Sequence, residues 1–165
     1  MERFREFSAE MKRMFRGAIR TGDIETVLMF LQAGINPNKK IFEIRPLLAA
    51  VNFNEPEIVR LLVTSGANPN VRDRWEETLF FYITSDNPIM VQVLLSMGTD
   101  PNFPNSWKET PLHMYVERKY LKAAEVLLLA DVNPNTKTTY GRTPLDYAGV
   151  RDSKMMRLLR NYGAK

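Results

Sequence analysis

The sequence predicts an all-α fold in which helix–turn–helix units repeat along the chain as a solenoid. Two recurring phrases predict it, and both keep an interval of 32 or 33 residues. The first phrase stands at Gly34-Ile-Asn-Pro-Asn38, Gly66-Ala-Asn-Pro-Asn70, Gly98-Thr-Asp-Pro-Asn102 and Asp131-Val-Asn-Pro-Asn135. The second stands at Arg45-Pro-Leu-Leu48, Thr78-Leu-Phe-Phe81, Thr110-Pro-Leu-His113 and Thr143-Pro-Leu-Asp146. Units of this length bury their apolar faces only against neighbouring copies, so the two phrases indicate a stack.

An amphipathic stripe near the amino terminus predicts the first helix. Its apolar members recur at helical spacing and are Phe4, Phe7, Met11, Met14, Phe15, Ala18 and Ile19. We expect this helix to cap the open end of the stack. The alternative is an exposed amphipathic handle for a partner or a membrane surface, although three Glu among the basic residues argue against the membrane version.

Each later unit has local signals for the start and the end of its helices. In the Thr-Pro-Leu phrase, Thr can cap the first amides and Pro stands where its missing N–H costs nothing. After a polar break, apolar spacing of three and four predicts a second helix, as at Ile58, Leu61 and Leu62. Gly34, Gly66 and Gly98 then end that helix in the left-handed conformation. The third and fifth units have one residue fewer between these signals, which predicts a tighter turn between their helices.

Composition excludes several function classes. The 165 residues contain no cysteine and one histidine, which excludes disulfides, thiolate metal sites and a His-paired acid–base site. Residues 1–20 and 137–165 are basic, whereas residues 21–136 are acidic, and the net charge is +4. Basic ends around an acidic centre argue against a nucleic-acid stripe. No apolar run is longer than that from Val126 to Ala130, which is too short to span a bilayer.

These phrases in this order resemble the ankyrin repeat. The resemblance implies β-hairpin-like loops between the helix pairs and one ankyrin-repeat domain over residues 1–165. It implies an amino-terminal helix and capping repeat at 1–38, internal repeats at 39–70, 71–102 and 103–135, and a carboxy-terminal capping repeat at 136–165. It also implies a backbone-bonding, structural role for His113 and buried core positions at Ala49, Tyr82, Met114 and Tyr147.

The resemblance implies a function in binding another protein. We expect a non-catalytic adapter, inhibitor or regulatory subunit that uses no cofactor and acts as a monomer or as one subunit of a hetero-complex. Two narrower alternatives stay open: a regulator of a cell-cycle protein kinase and an inhibitor-of-NF-κB-like binder of a transcription factor. We expect an intracellular location, cytoplasmic or nuclear. Since Gly163 ends the last repeat, we expect no room for an effector tail.

An aromatic residue precedes the tip position of every full repeat, at Phe42, Trp75, Trp107 and Tyr140. Trp and Tyr are enriched among binding hot spots, so this row is our candidate contact surface. The alternative is that the aromatics fold back and hold neighbouring loops together. Acidic flanks at Glu76, Glu77 and Glu109 favour a partner segment with basic and apolar groups. The remaining candidate contact residues are Arg142, Phe53 and Arg118.

Overall fold

The computed structural model describes residues 7–149 and 152–165, apart from the side chain of Ser153. Every regular element within these residues is helical, and the only β pairing among them is an isolated bridge between Ile41 and Ile44. The elements are α1 (Ala9–Thr21), α2 (Ile24–Gln32), α3 (Pro46–Asn52), α4 (Pro56–Thr64), a 3₁₀ helix (Leu79–Tyr82), α5 (Pro88–Ser96), α6 (Pro111–Glu117), α7 (Leu121–Leu129), α8 (Pro144–Tyr147) and α9 (Ser153–Asn161). The predicted all-α class is confirmed.

The chain divides into two compact units, Met1–Asn68 and Pro69–Lys165. In the amino-terminal unit, α1 packs on α2 and α3, and α4 packs on α2 and α3. Phe15 of α1 and Phe30 of α2 meet edge to face with ring centroids 5.5 Å apart. Leu47, Ile58 and Leu62 complete this core and are at most 1% exposed. Each helix of this unit therefore packs both on the other helix of its pair and on a helix of the neighbouring pair.

In the carboxy-terminal unit, α6 packs on α7, α8 and the 3₁₀ helix, while α7 packs on α5 and α9. The largest fully buried side chains described there include Phe80, Met90, Leu112 and Tyr115. The Tyr115 hydroxyl donates to the Phe80 carbonyl oxygen at 3.1 Å, so the one polar atom of this buried ring is satisfied. This bond joins two consecutive repeats through their cores.

Helix boundaries follow the predicted signals. Pro is the first residue of α3, α4, α5, α6 and α8. The Asp23 carboxylate accepts from the Thr26 N–H at 3.0 Å, as a side-chain cap does. At the other end, Gly34, Gly66 and Gly98 follow their helices with φ of 93°, 92° and 79°, which is the left-handed geometry that glycine tolerates best.

The amino-terminal stripe is only partly buried. Phe15, Ala18 and Ile19 enter the core, and Phe7 meets Phe30 at a centroid distance of 6.4 Å. Met11 and Met14 are exposed, with Met14 54% accessible. Phe4 lies outside the described residues. Within the described residues, the aromatic and later apolar members of the stripe pack in the core, whereas Met11 and Met14 do not.

The prediction of tighter turns in the third and fifth repeats is wrong, because the missing residue shortens the first helix instead. That helix has seven residues in α3 and α6 but four in the 3₁₀ helix Leu79–Tyr82 and four in α8. After Tyr82 the backbone becomes extended at Ile83, with φ −70° and ψ 123°. A helix that stops after one turn leaves carbonyl oxygens without intrahelical donors, so they need partners from elsewhere.

Candidate functional site

The loop tips keep the left-handed residue of a hairpin even where glycine is missing. Glu76 and Lys108 have φ of 61° and 58°, close to the 74° of Gly141 at the corresponding place. The N–H of Asp73 donates to the Glu77 carbonyl oxygen at 3.2 Å and closes the second of these loops. The first tip is a tighter, two-residue turn in which Phe42 and Glu43 both have positive φ, at 48° and 69°. The hairpin-like shape thus holds in all four loops, at a conformational cost in three of them.

Trp75 and Trp107 of consecutive tips stack on each other. Their ring centroids are 5.5 Å apart and their planes differ by 28°. Backbone bonds support the stack, because the Ser106 N–H and hydroxyl both donate to the Trp75 carbonyl oxygen at 2.9 Å. Even so, Trp75 stays 43% exposed and Trp107 stays 39% exposed. The pair holds neighbouring loops together and at the same time presents a large aromatic surface to solvent.

Tyr140 is the most exposed large hydrophobic residue among the described residues, at 77%. The N–H of its neighbour Thr139 donates to the Trp107 carbonyl oxygen at 2.9 Å, which repeats the contact between Ser106 and Trp75 one unit further along. The backbone of this tip is therefore fixed while its aromatic ring projects into solvent. A fixed, exposed aromatic ring loses little conformational entropy when it binds.

Most of the predicted acidic flank is already engaged within the loops. Glu76 pairs with Arg72 at 3.2 Å across an exposed i,i+4 contact. The Glu109 carboxylate accepts from the Tyr147 hydroxyl at 2.6 Å and from the Asn105 side-chain amide at 2.9 Å. Glu109 therefore stabilises its own loop through Asn105 and connects it to the next repeat through Tyr147.

Glu77 differs from these neighbours. Burial raises the pKa of its carboxyl group, and the nearby charges of Asp73 and Glu109 raise it further, whereas Arg118 lowers it. Asp73 is fixed here because it accepts from the N–H groups of Trp75 and Glu77 at 2.7 and 2.9 Å. Three carboxylates, those of Asp73, Glu77 and Glu109, and the Arg118 guanidinium thus influence one another electrostatically in this unit.

Two tyrosines predicted to be core residues are half-buried and join this acidic cluster. The Tyr82 hydroxyl donates to the Asp73 carboxylate at 2.9 Å, and Tyr147 donates to Glu109. Burial and these carboxylates raise the pKa of Tyr147 to about 12 and raise that of Tyr82 as well. The prediction of buried core positions is therefore wrong for Tyr82 and Tyr147, and also for half-buried Met114, but correct for Ala49. The signal in the sequence was a hydroxyl at a position where the repeat pattern implies leucine.

The predicted contact residue Arg118 has a second role that the sequence did not indicate. Its guanidinium donates to the carbonyl oxygens of Phe81 and Ile83 at 3.1 and 2.9 Å. These are the residues around the end of the short 3₁₀ helix, so Arg118 partners carbonyls that a longer helix would use itself. The Arg142 side chain is exposed, and its carbonyl oxygen lies 3.2 Å from His113 Nε2.

His113 occupies a structural position, as the resemblance implies. Its Nδ1 accepts from the Thr110 N–H at 3.1 Å and lies 2.9 Å from the Thr110 hydroxyl. Burial is the main cause that lowers the pKa of His113. The corresponding Thr78 hydroxyl is buried without a hydrogen-bond partner, because Phe81 stands where His113 stands in the next repeat.

The remaining predicted contact residues, Phe42 and Phe53, lie together in the amino-terminal unit, where they line one groove with residues of α1. Across residues 7–149 and 152–165, no three His, Cys, Asp or Glu side chains lie close enough to hold a metal ion. None of the helices in this described part is long and apolar enough to cross a membrane.

Comparison with known families supports the repeat interpretation. A family model described as ankyrin repeats in three copies matches residues 79–165, and a model of the single ankyrin repeat matches residues 45–74. No curated protein sequence matches the chain. Ankyrin repeats are protein–protein interaction modules, and proteins built from them are generally non-catalytic. Since the first match alone spans more than half of the sequence, the chain belongs to the ankyrin-repeat family.

Proposed function

We propose that the chain is a single ankyrin-repeat domain that binds another protein through the loop tips of its carboxy-terminal unit, and that it acts as an adapter, inhibitor or regulatory subunit. The stacked pair Trp75 and Trp107 is the observation that carries the proposal. Large aromatics on a fixed backbone dominate the binding energy of many protein interfaces. Tyr140 extends this contact surface by one repeat.

The charges beside the stack indicate the chemistry of the partner. Burial raises the pKa of Glu77 most, and repulsion from Asp73 and Glu109 raises it further; a basic side chain of a partner would relieve that repulsion. The partner segment therefore carries an apolar or aromatic side chain for the tryptophan pair and a Lys or Arg for the carboxylates. Arg118 and Arg142 border the same unit and would disfavour a segment with uniform positive charge.

The test is affinity purification from the native cells with the wild-type chain and with Trp75→Ala/Trp107→Ala. A matched control is Ile89→Ala/Leu129→Ala, which also removes two exposed apolar side chains from the second helices of this unit. We expect one partner to co-purify with the wild type and the control and to be lost with the tryptophan variant. Circular dichroism checks that all three chains are equally folded.

Retention of that partner by the tryptophan variant would show that the stack serves only to hold the loops together. The identity of the co-purified protein then separates the narrower functions. A protein kinase of the cell cycle supports a regulatory subunit, and a transcription factor supports an inhibitor-of-NF-κB-like role. Purified partner titrated against Glu77→Lys tests the charge argument separately, with weaker binding expected.

A further inference from the structure

A basic groove lies in the amino-terminal unit, and it shares no residue with the proposed tip surface of residues 69–165. It is lined by Arg13, Arg16, Gly17 and Arg20 of α1 and by Phe42 and Phe53, and it has a volume of about 360 Å³. Phe42 comes from the first tip, and Phe53 follows the last residue of α3. Two consecutive repeats thus contribute its walls.

The three arginines are exposed and lie on one face of α1, because positions 13, 16 and 20 are three and four residues apart. None of the ion pairs among the described residues involves them. The carboxylate of Glu43, which follows Phe42 in the first tip, pairs with Lys40 at 3.9 Å. Of the charged residues of α1, four are basic and Glu10 alone is acidic. The groove therefore offers guanidinium groups whose hydrogen-bonding forks suit carboxylates.

The two aromatic walls supply an apolar contact. Phe42 is 43% exposed although the tip holds it at a φ of 48°, a conformation that costs a non-glycine residue about 1 kcal/mol or more. An aromatic ring held at such a cost, and still exposed, is not explained by burial in the fold. Phe53 is half-buried, so it forms the deeper wall.

Gly17 provides an independent observation. It stands in the interior of α1, where glycine costs about 1 kcal/mol relative to alanine. A Cβ atom added there would meet nothing within 4 Å, so packing within the described chain does not require glycine. A missing side chain beside three arginines leaves room for an incoming backbone to approach the helix closely.

We propose that this groove binds an acidic peptide segment of a protein partner. Carboxylates of the segment pair with Arg13, Arg16 and Arg20, and one aromatic or aliphatic side chain packs between Phe42 and Phe53. The three arginines span about 10 Å along α1, which suits a short peptide better than the extended phosphate track of a nucleic acid. The groove would bind an acidic segment, whereas the proposed tip surface of the other unit would bind a basic one. An experiment can therefore refute either proposal without refuting the other.

The probe is a fluorescein-labelled peptide of about nine residues with three acidic residues around a central Phe, followed by fluorescence anisotropy at about 50 mM and about 300 mM salt. Its control is the same peptide with Asn and Gln in place of Asp and Glu. Arg16→Glu/Arg20→Glu is compared with Arg157→Glu/Arg160→Glu, which makes the same charge change at exposed sites of α9. Gly17→Gln blocks the groove without changing the charge and favours the helix.

We expect the wild type to bind the acidic peptide at least about tenfold more tightly than the amide peptide, and more weakly at the higher salt concentration. Arg16→Glu/Arg20→Glu and Gly17→Gln should each lose that preference, whereas the α9 variant keeps most of it. Thermal melting of Gly17→Gln at or above the wild-type temperature excludes unfolding as the cause. Equal losses in both arginine variants, unchanged binding by Gly17→Gln, or tighter binding of a single-stranded oligonucleotide would each overturn the proposal.

Discussion

Replacement of Arg118 by Ala removes both hydrogen bonds that the guanidinium donates to Phe81 and Ile83. A hydrogen bond from a charged donor contributes about 1.5–3 kcal/mol when it is buried. Arg118 is exposed, so water can hydrate the freed carbonyls, and we discount the two bonds together to about 1–2 kcal/mol. The loss also leaves Glu77 beside Asp73 and Glu109 without the nearby positive charge. Both effects lower the free energy of unfolding.

Urea denaturation measures this loss. With a slope of roughly 2 kcal/mol per molar urea, the midpoint of Arg118→Ala should fall by about 0.5–1 M at an unchanged slope. Arg118→Lys keeps the positive charge but loses the planar guanidinium group that donates both hydrogen bonds. Its urea midpoint should therefore lie between those of the wild type and Arg118→Ala. Arg157→Ala, an exposed arginine of α9, serves as the matched control and should change stability by less than about 0.5 kcal/mol. Equal midpoints for Arg118→Ala and the wild type would refute the argument that this side chain completes the short helix.

Three further predictions concern the site and its repeats. Burial lowers the folded-state pKa of His113, so its contribution to stability is complete above about pH 6.5 and is lost as the pH falls through the folded pKa. His113→Asn should therefore reduce the fall in melting temperature between pH 7 and pH 5. An unchanged fall in that variant would show that other groups cause the pH dependence. The folded-state pKa of Glu77 is raised, so wild-type stability is lost as the pH rises through that pKa. Glu77→Gln should accordingly be about 0.5 kcal/mol more stable at pH 7 and no more stable below about pH 4, measured by urea titration at both pH values, and no gain at pH 7 would contradict the repulsion. The chain has two tryptophans, and these stack at 5.5 Å, so circular dichroism should show an exciton couplet that either single Trp→Phe variant abolishes; a wild-type spectrum equal to the sum of the singles would show that the rings do not stack in solution.

Local signals in the sequence predicted the repeats and most helix boundaries, because Pro at a first helical position and Gly at a left-handed position act within a few residues. They did not predict which part of the third repeat becomes shorter because of its missing residue. A turn and a helix end can each give up one residue, and the choice depends on partners that are distant in the chain. Here Arg118, more than thirty residues away, donates to the carbonyls at the end of the shortened helix. Spacing alone contains no information about such a contact.

The candidate site was predictable as a row of positions but not as a set of contacts. The interval of the repeat placed Trp75 and Trp107 at equivalent tips, and it could not show that the two rings stack. It likewise assigned Tyr82 and Tyr147 to the core, because one apolar position resembles another until the hydroxyl finds a carboxylate. The contacts of charged residues were equally unpredictable from their positions in the sequence. Glu76 and Glu77 are adjacent in sequence, yet one pairs with Arg72 and the other lies among carboxylates.

The third repeat departs most from the pattern of its neighbours, and its departures are concentrated beside the proposed contact surface. It lacks the Pro and the His of the Thr-Pro-Leu-His phrase, its Thr78 hydroxyl is buried without a partner, and its first helix is one short turn. A buried hydroxyl without a hydrogen bond costs about 1–3 kcal/mol. This same repeat supplies Trp75, Asp73 and Glu77, together with the half-buried Tyr82. A capping His and a longer first helix, as in the fourth repeat, would stabilise this repeat further. The third repeat therefore lacks local stabilising contacts beside the side chains that we propose for binding, a combination that is common at functional sites.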